Sequence, residues 1–548
     1  MVAGNRSLIL LRSMHVPFSG TLWDGRRTAG LVALLLIAVV LFAPFAILPL
    51  ATSTLPSLAA VLDDSYILGV LRFTLMQAAL SAILSVVLAL PLALALHRNR
   101  FAGRQLLLRL FLLPQALPTL VAALGIVEVW GRAGVVSDLL VSAGLGRLNI
   151  YGLTGILLAH VFFNMPLAAR LMLAALSTVP AENWKLAGQL SFGRVATFRI
   201  VEWPAIRPAL AGIASLIFML CVTSFALVLV LGGGPGATTL EVAIYQSLRY
   251  DFDPGRVISL AVLQIVVVSL ILVPMLMRKA DGAAMFSLGS PALRYDKSPL
   301  LWRCADAAII AMGATFVIAP FFFILSSGLQ ANLTGLIMQA DVQRAILTSL
   351  KIAVLATGLG IVVSLALVMG RQAGAGGRAA FLFDYIGSIV LVVPPIVVGA
   401  GWFLVLRQAT DVYRVAPAVI VVSNAIIAIP FMIRILGPAL ATAHQRYGKL
   451  AGHLALGSFA RWRLVEWPAL RLPLGLAAAF GLALSLGDLG VVALFGNQDL
   501  VTLPYLLLQR MGSYRSTDAA GLALMLAAIC MFLMWLAELG TRTRGTVD

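Results

Sequence analysis

Apolar residues fall along this chain in long runs separated by short, polar and often basic segments. A bilayer core about 30 Å thick needs roughly 20 apolar residues in a helix. Twelve runs meet that length: 29–51, 66–96, 105–130, 151–176, 208–231 and 257–277 in the first half, then 305–325, 345–370, 379–406, 416–440, 470–495 and 519–539 in the second. The first run is too long for a signal-peptide core and lacks a clean small-residue cleavage site, so it counts as a span. The pattern predicts an all-α, polytopic membrane protein with about twelve transmembrane helices in two six-helix halves.

Composition agrees. Hydrophobic residues are 61% of the 548 positions and charged residues 11%, against about 25% charged in a soluble domain. The net charge of +17 is scattered between the apolar runs. A nucleic-acid partner would ask for one basic face, so anionic lipid at the cytoplasmic surface is the expected partner for these charges. Cys221, Cys304 and Cys530 lie in or beside apolar runs without a spaced pattern, which predicts neither a disulfide framework nor a metal site.

Lys and Arg set the orientation. With the N-terminus in the cytoplasm, 26 of the 39 basic residues, counting those just inside the span ends, fall on the cytoplasmic side and 9 on the other. The rest, Arg72, Arg170, Lys351 and Arg434, sit in the spans. Both termini are therefore expected in the cytoplasm, the N-terminal tail contributing Arg6, Arg12, Arg26 and Arg27.

An internal repeat carries the most information. Residues 185–207 read KLAGQLSFGRVATFRIVEWPAIR and residues 449–471 read KLAGHLALGSFARWRLVEWPALR, at a constant offset of 264 without a gap. Lys185/Lys449, Ala187/Ala451, Gly188/Gly452, Glu202/Glu466, Trp203/Trp467 and Pro204/Pro468 are identical pairs, and Pro166/Pro430 and Arg170/Arg434 keep the offset upstream. The chain divides accordingly into a first half, 1–280, a polar linker, 281–304, and a second half, 305–548, with the repeated segments at 181–207 and 445–471. Each lies between the fourth and fifth spans of its half. Gly188 and Gly452 are expected to allow close approach of a partner or a turn between two short helices, and each Trp-Pro pair to mark re-entry into the membrane. A single copy reads as an ordinary basic loop. Two copies in corresponding places read as a repeated docking surface for a repeated partner.

These segments resemble the EAA loops of ABC-importer permeases, in which an acidic-Ala-Ala start is followed by a glycine and a hydrophobic-Pro end. Here Lys185 and Lys449 hold the acidic position and Ser191 and Ala455 the usual glycine place. The resemblance implies a type I permease whose loops each seat a coupling helix on one subunit of a separate ATPase dimer, served by a periplasmic binding protein. The stretches HVFFNMPLAARLML (160–173), LGGGPGATTLEVAIYQSLRYDFDP (231–254) and SLGDLGVVALFGNQDLVTLPYLLLQRMGSYRS (485–516) resemble the thiamine permeases of that family. That likeness implies thiamine or its phosphates as cargo, and a place in a bacterial inner membrane.

No G-x-x-x-x-G-K-[ST] loop, no G-x-S-x-G elbow and no His/Cys cluster at metal-ligand spacing occurs. No catalytic residue, metal or cofactor is expected in this chain, and ATP hydrolysis falls to the partner.

Charges inside spans mark candidate function. Asp488, in SLGDLG, either meets a cationic cargo along the path, pairs with a nearby Arg, or caps a helix broken beside Gly487 and Gly490; its counterpart at the 264 offset is Ser224. Glu128, near the outer end of the third span, is a further candidate for the path or for the interface. Arg170 and Arg434 are expected to snorkel to lipid phosphate. A fainter repeat, Thr239-Leu240 and Gln246 against Thr502-Leu503 and Gln509 at 263, and Tyr250 against Tyr514 at 264, suits gates or re-entrant segments on the outer face. Two other functions compete: the same machine carrying ferric iron or another small solute, and a secondary transporter of parallel repeats. Ion coupling asks for several ionisable midplane residues, and Asp488 stands nearly alone.

Overall fold

The computed structural model describes residues 20–51, 63–277, 299–373, 383, 390, 393–497, 499–513 and 515–542. The expected linker up to residue 298, Arg6 and Arg12, most of 379–392 and Tyr514 lie outside the described residues. Within them the secondary structure is helical throughout, with no strand.

The first half runs through α1 (Gly20–Ala51), α2 (Ser65–Arg98), α3 (Arg104–Leu110), α4 (Leu113–Ala116), α5 (Thr119–Trp130), α6 (Val135–Ser142) and α7 (Leu153–Ser177). It continues with α8 (Ala181–Gln189), α9 (Arg194–Thr197), α10 (Trp203–Val222), α11 (Ala226–Leu231), α12 (Leu240–Arg249) and α13 (Pro254–Met277). The second half holds α14 (Leu300–Gln330), α15 (Leu333–Met338), α16 (Ala340–Ala373), α17 (Pro395–Ala409) and α18 (Val412–His453). After them come α19 (Ser458–Arg461), α20 (Trp467–Gly487), α21 (Gly490–Phe495), α22 (Leu503–Gly512) and α23 (Ser516–Arg542). Eleven helices among the described residues are long and apolar enough to span a bilayer. The remaining expected span, 379–406, is represented by the shorter apolar helix α17.

Three expected spans are broken. The third, read as continuous over 105–130, is divided into α3, α4 and α5. Pro114 and Pro118 supply no backbone N–H, and Leu117 is held extended ahead of Pro118. The fifth breaks between Val222 and Ala226, where the Thr223 hydroxyl donates to the Met219 carbonyl at 3.0 Å. The eleventh breaks at Asp488-Leu489, with Asp488 extended at φ −68°, ψ 126°. In the other direction, the tenth span and the second repeated segment join into the 42-residue α18. The first half has Pro180 between α7 and α8, and His444 stands at the matching place in α18, so nothing interrupts the helix.

Each half packs a core trio, α2 with α7 and α10, and α16 with α18 and α20. The first helix of each half also packs across on the other half: α1 lies on α16 and α17, and α14 lies on α2 and α5. The crossing is the same contact made twice. Added to Gly125 of α5, a β-carbon would sit 2.7 Å from the Pro320 carbonyl of α14, and added to Gly401 of α17 it would sit 2.8 Å from Pro44 of α1. Small residues let helices approach this closely in a membrane, where dispersion contacts hold them together.

Candidate functional site

The two repeated segments have one shape. α8 and the end of α18 close in the same way: the Ser191 and Phe192 amides donate to Gly188 and Ala187 carbonyls at 3.1 and 3.0 Å, and Ala455 and Leu456 to Gly452 and Ala451 at 3.0 and 3.1 Å. The turn residues Ser191 and Ala455 carry positive φ, 52° and 45°. This is the place where glycine is favoured, and a β-carbon there costs roughly 1–2 kcal/mol. Gly188 and Gly452, expected to allow either a turn or the close approach of a partner, are not the turn residues: they lie in helix, half-buried, three residues before it. A short helix and one turn of π-helix follow in both copies, Phe198–Glu202 and Trp462–Glu466, leading into α10 and α20. The ring pairs Phe198/Trp203 and Trp462/Trp467 stand 5.9 and 6.0 Å apart.

Burial separates the two faces of each segment. Ala187 and Ala451 face inward, and Trp184 is buried beneath the first copy. Lys185 and Lys449 are exposed, and so are three apolar pairs at the 264 offset: Leu186/Leu450, Leu190/Leu454 and Val195/Phe459, each more than half exposed. Apolar exposure on the spans faces lipid. On α8 the other exposed residues include Ala181, Glu182, Asn183 and Gln189, so the leucines stand out as apolar surface on a largely polar helix.

Glu202 and Glu466 do not belong to that outer face, contrary to their expected place in the docking set. Both are 0% exposed. Arg98, at the end of α2, forms a fork with Glu202, its Nε donating to Oε1 at 3.0 Å. Arg26 of α1 forms the matching fork with Glu466 at 2.7 and 3.1 Å, with His444 Nε2 3.0 Å from the same carboxylate. Arg194 pairs with Asp306 of α14, to which Asn99 also donates at 3.1 Å. The Arg26 and Arg194 pairs join opposite halves, each tying one half's repeated segment to the other half's crossing helix. Trp203 is half-buried, while Trp467, Pro204 and Pro468 are exposed. The starts of α1 and α14 and both segments therefore lie at one end of the molecule.

The path candidates sit elsewhere. Asp488 is at the break between α20 and α21, its Oδ1 accepting the Gly490 amide at 3.1 Å, so the capping alternative is realised. Ser224 is half-buried at the corresponding break in the first half. Glu128 is half-buried on α5 and accepts the Ser327 hydroxyl of α14 at 3.2 Å, which makes it a contact between halves. Arg170 does not snorkel: it is buried and donates to the Leu108 carbonyl of α3 at 2.7 Å, a group left unbonded by the broken third span. Arg434 remains exposed. The fainter repeat forms α12 and α22, each entered through a threonine, Thr239 or Thr502. The first amides of these helices donate to Thr74 and Ser349 hydroxyls at 3.0 and 2.8 Å.

Arg26, Arg98, Arg194 and Asp306 were not among the candidates from sequence, because their partners are 104 to 440 residues away. Leu186 and Leu450 could have been found, being apolar residues kept in register within the repeated polar segments.

Residues 85–282 match the family of binding-protein-dependent transport system inner membrane components. The chain is 48% identical over 490 residues to the thiamine transport system permease protein ThiP of Brucella abortus (strain 2308), a match covering 89% of this chain and 90% of that one. It is 41% identical to ThiP of Escherichia coli (strain K12), over 87% of this chain and 90% of that one. Identity to ThiP of Haemophilus influenzae (strain ATCC 51907 / DSM 11121 / KW20 / Rd) is 37%, over 86% of this chain and 88% of that one.

Proposed function

The chain belongs to the thiamine transport system permeases, within the binding-protein-dependent inner-membrane components, and on that premise we propose that it carries thiamine and its phosphates inward by alternating access. A periplasmic binding protein delivers the cargo, and each repeated segment docks one subunit of a separate ATPase dimer. The observation that carries the coupling is the duplicated outer face, with Lys185, Leu186 and Leu190 matched by Lys449, Leu450 and Leu454. Gly188 and Gly452 lie beneath it, Ala187 and Ala451 hold it to the body, and the Trp203-Pro204 and Trp467-Pro468 pairs lead back into the membrane. Glu202 and Glu466 act here by fixing each segment to the spans. Neither ferric iron nor a parallel-repeat secondary transporter is favoured by any residue of this arrangement.

Vesicles holding the chain, its ATPase and its binding protein test the cargo. Thiamine-loaded binding protein is expected to stimulate ATP hydrolysis several-fold over unloaded protein, and ferric-loaded protein is not. Stimulation by iron and not by thiamine would overturn the assignment. The orientation has its own check. Glu182→Cys and Gln445→Cys are expected to resist an impermeant thiol reagent added outside intact cells, and Asp499→Cys to react with it. Labelling of either segment from outside contradicts docking to a cytoplasmic ATPase.

A further inference from the structure

We propose that the junction between the halves holds a recognition site for an organic cation, formed by the Asp488 carboxylate of the second half and the Phe225 and Tyr245 rings of the first. It rests on the thiamine reading, since thiamine carries a permanent positive charge on its thiazolium ring. The two helix breaks related by the duplication meet here. A β-carbon added to Gly490 would lie 3.7 Å from Asp488 Oδ1, 3.8 Å from Phe225 Cδ1 and 4.0 Å from Ile396 Cβ, so carboxylate and ring flank the same glycine. Tyr245, on α12, stands edge to face with Phe225, ring centroids 5.5 Å apart at 64°. Both rings are buried.

One carboxylate oxygen of Asp488 is spent on the cap. The other, Oδ2, is buried and has no hydrogen-bond partner among the described residues. Glu241, one turn before Tyr245 on α12, is likewise buried with Oε1 unpartnered. A buried carboxylate without a partner is costly until it is protonated or meets a cation, and the faces of aromatic rings attract the same cation.

Duplication makes the arrangement informative, because it exists on one side alone. At the positions related to Phe225, Tyr245 and Glu241 the other half has Leu489, Leu508 and Pro504, and at the position related to Asp488 it has Ser224. A helix cap and a packed core need neither two aromatic rings nor a second acid. A cation passing between the halves, close to one wall, uses the two rings and the Asp488 carboxylate.

The test compares uptake of thiamine with uptake of its neutral thiophene analogue, each supplied on saturating binding protein to vesicles containing the assembled transporter. Phe225→Leu and Tyr245→Leu install the residue found in the other half, and Asp488→Asn keeps the cap while removing the charge. Each is expected to slow thiamine uptake about tenfold, the scale of a desolvated cation–π contact, and to leave the analogue within twofold. Phe225→Tyr, which keeps a ring, is expected to retain thiamine uptake. Equal loss for both compounds shows a packing role and overturns the site, as does unchanged thiamine uptake. A parent transporter that moves neither compound but carries another solute refutes the cargo assignment, a failure distinct from these.

Discussion

Leu186→Asp is expected to leave this permease in the membrane at its normal level while lowering ATP-driven uptake at least a hundredfold, and Leu450→Asp is expected to do the same. Both leucines project from the repeated segments with more than half their surface exposed, so neither supports the fold. Seated against an ATPase, each aspartate would place an unpaired charge in an apolar contact, at a cost of several kcal/mol. Gly188→Asp and Gly452→Asp, two residues further along and half-buried beside that face, are expected to act similarly by crowding the approach of a partner. Both halves must move for the path to alternate, so one intact docking segment does not suffice. Leu186→Asp with Leu450→Asp is accordingly expected to look little worse than either alone, the non-additivity of parts acting as a unit. Uptake and binding-protein-stimulated ATP hydrolysis in vesicles measure this. Near-normal uptake from both single variants would falsify the docking role.

The second large effect falls on folding. Arg98→Ala leaves Glu202, 0% exposed, without its guanidinium fork. Breaking a buried pair by removing one partner costs about 3–5 kcal/mol, so the yield of monodisperse protein and its thermal midpoint in detergent are expected to fall sharply. Arg98→Ala combined with Glu202→Gln is expected to recover a large part of that loss, because the charge is gone along with its partner. Arg26→Ala is expected to lower the midpoint as well, with Glu466 keeping His444 at 3.0 Å and Arg461 at 3.5 Å. Equal melting of Arg98→Ala and the parent would show that the pair contributes little.

The all-helical class and the two matched halves were legible in the sequence because lipid permits few backbone solutions, and twenty apolar residues in a row announce one of them. The repeated segments were legible because the duplication preserved residue identities outside the bilayer, where hydrophobicity alone would not. Less was legible wherever a span departs from a regular helix. Hydropathy averaged along a run passes over Pro114 and Pro118, although they divide the third span, and it does not distinguish the broken 470–495 from an unbroken helix. Asp488 was recognised as an alternative between cap and cargo contact. Its capping amide is two residues away and could be foreseen, whereas Phe225 comes to it from the other half and could not. The repeated string by itself puts Glu202 and Glu466 on the docking face. Their burial depends on arginines in distant helices, Arg98 at the end of α2 for Glu202 and Arg26 of the crossing α1 for Glu466, and no spacing pattern reveals either.

Cross-linking measures the docking directly. Gln189 and His453 are equivalent exposed positions on the two segments, and Gln189→Cys and His453→Cys can each be joined to an ATPase carrying one cysteine at its docking cleft, in vesicles holding the assembled complex. The account predicts one ATPase subunit captured at each position, and two captured per permease chain when both cysteines are present. Capture at one segment alone, or at neither, contradicts it.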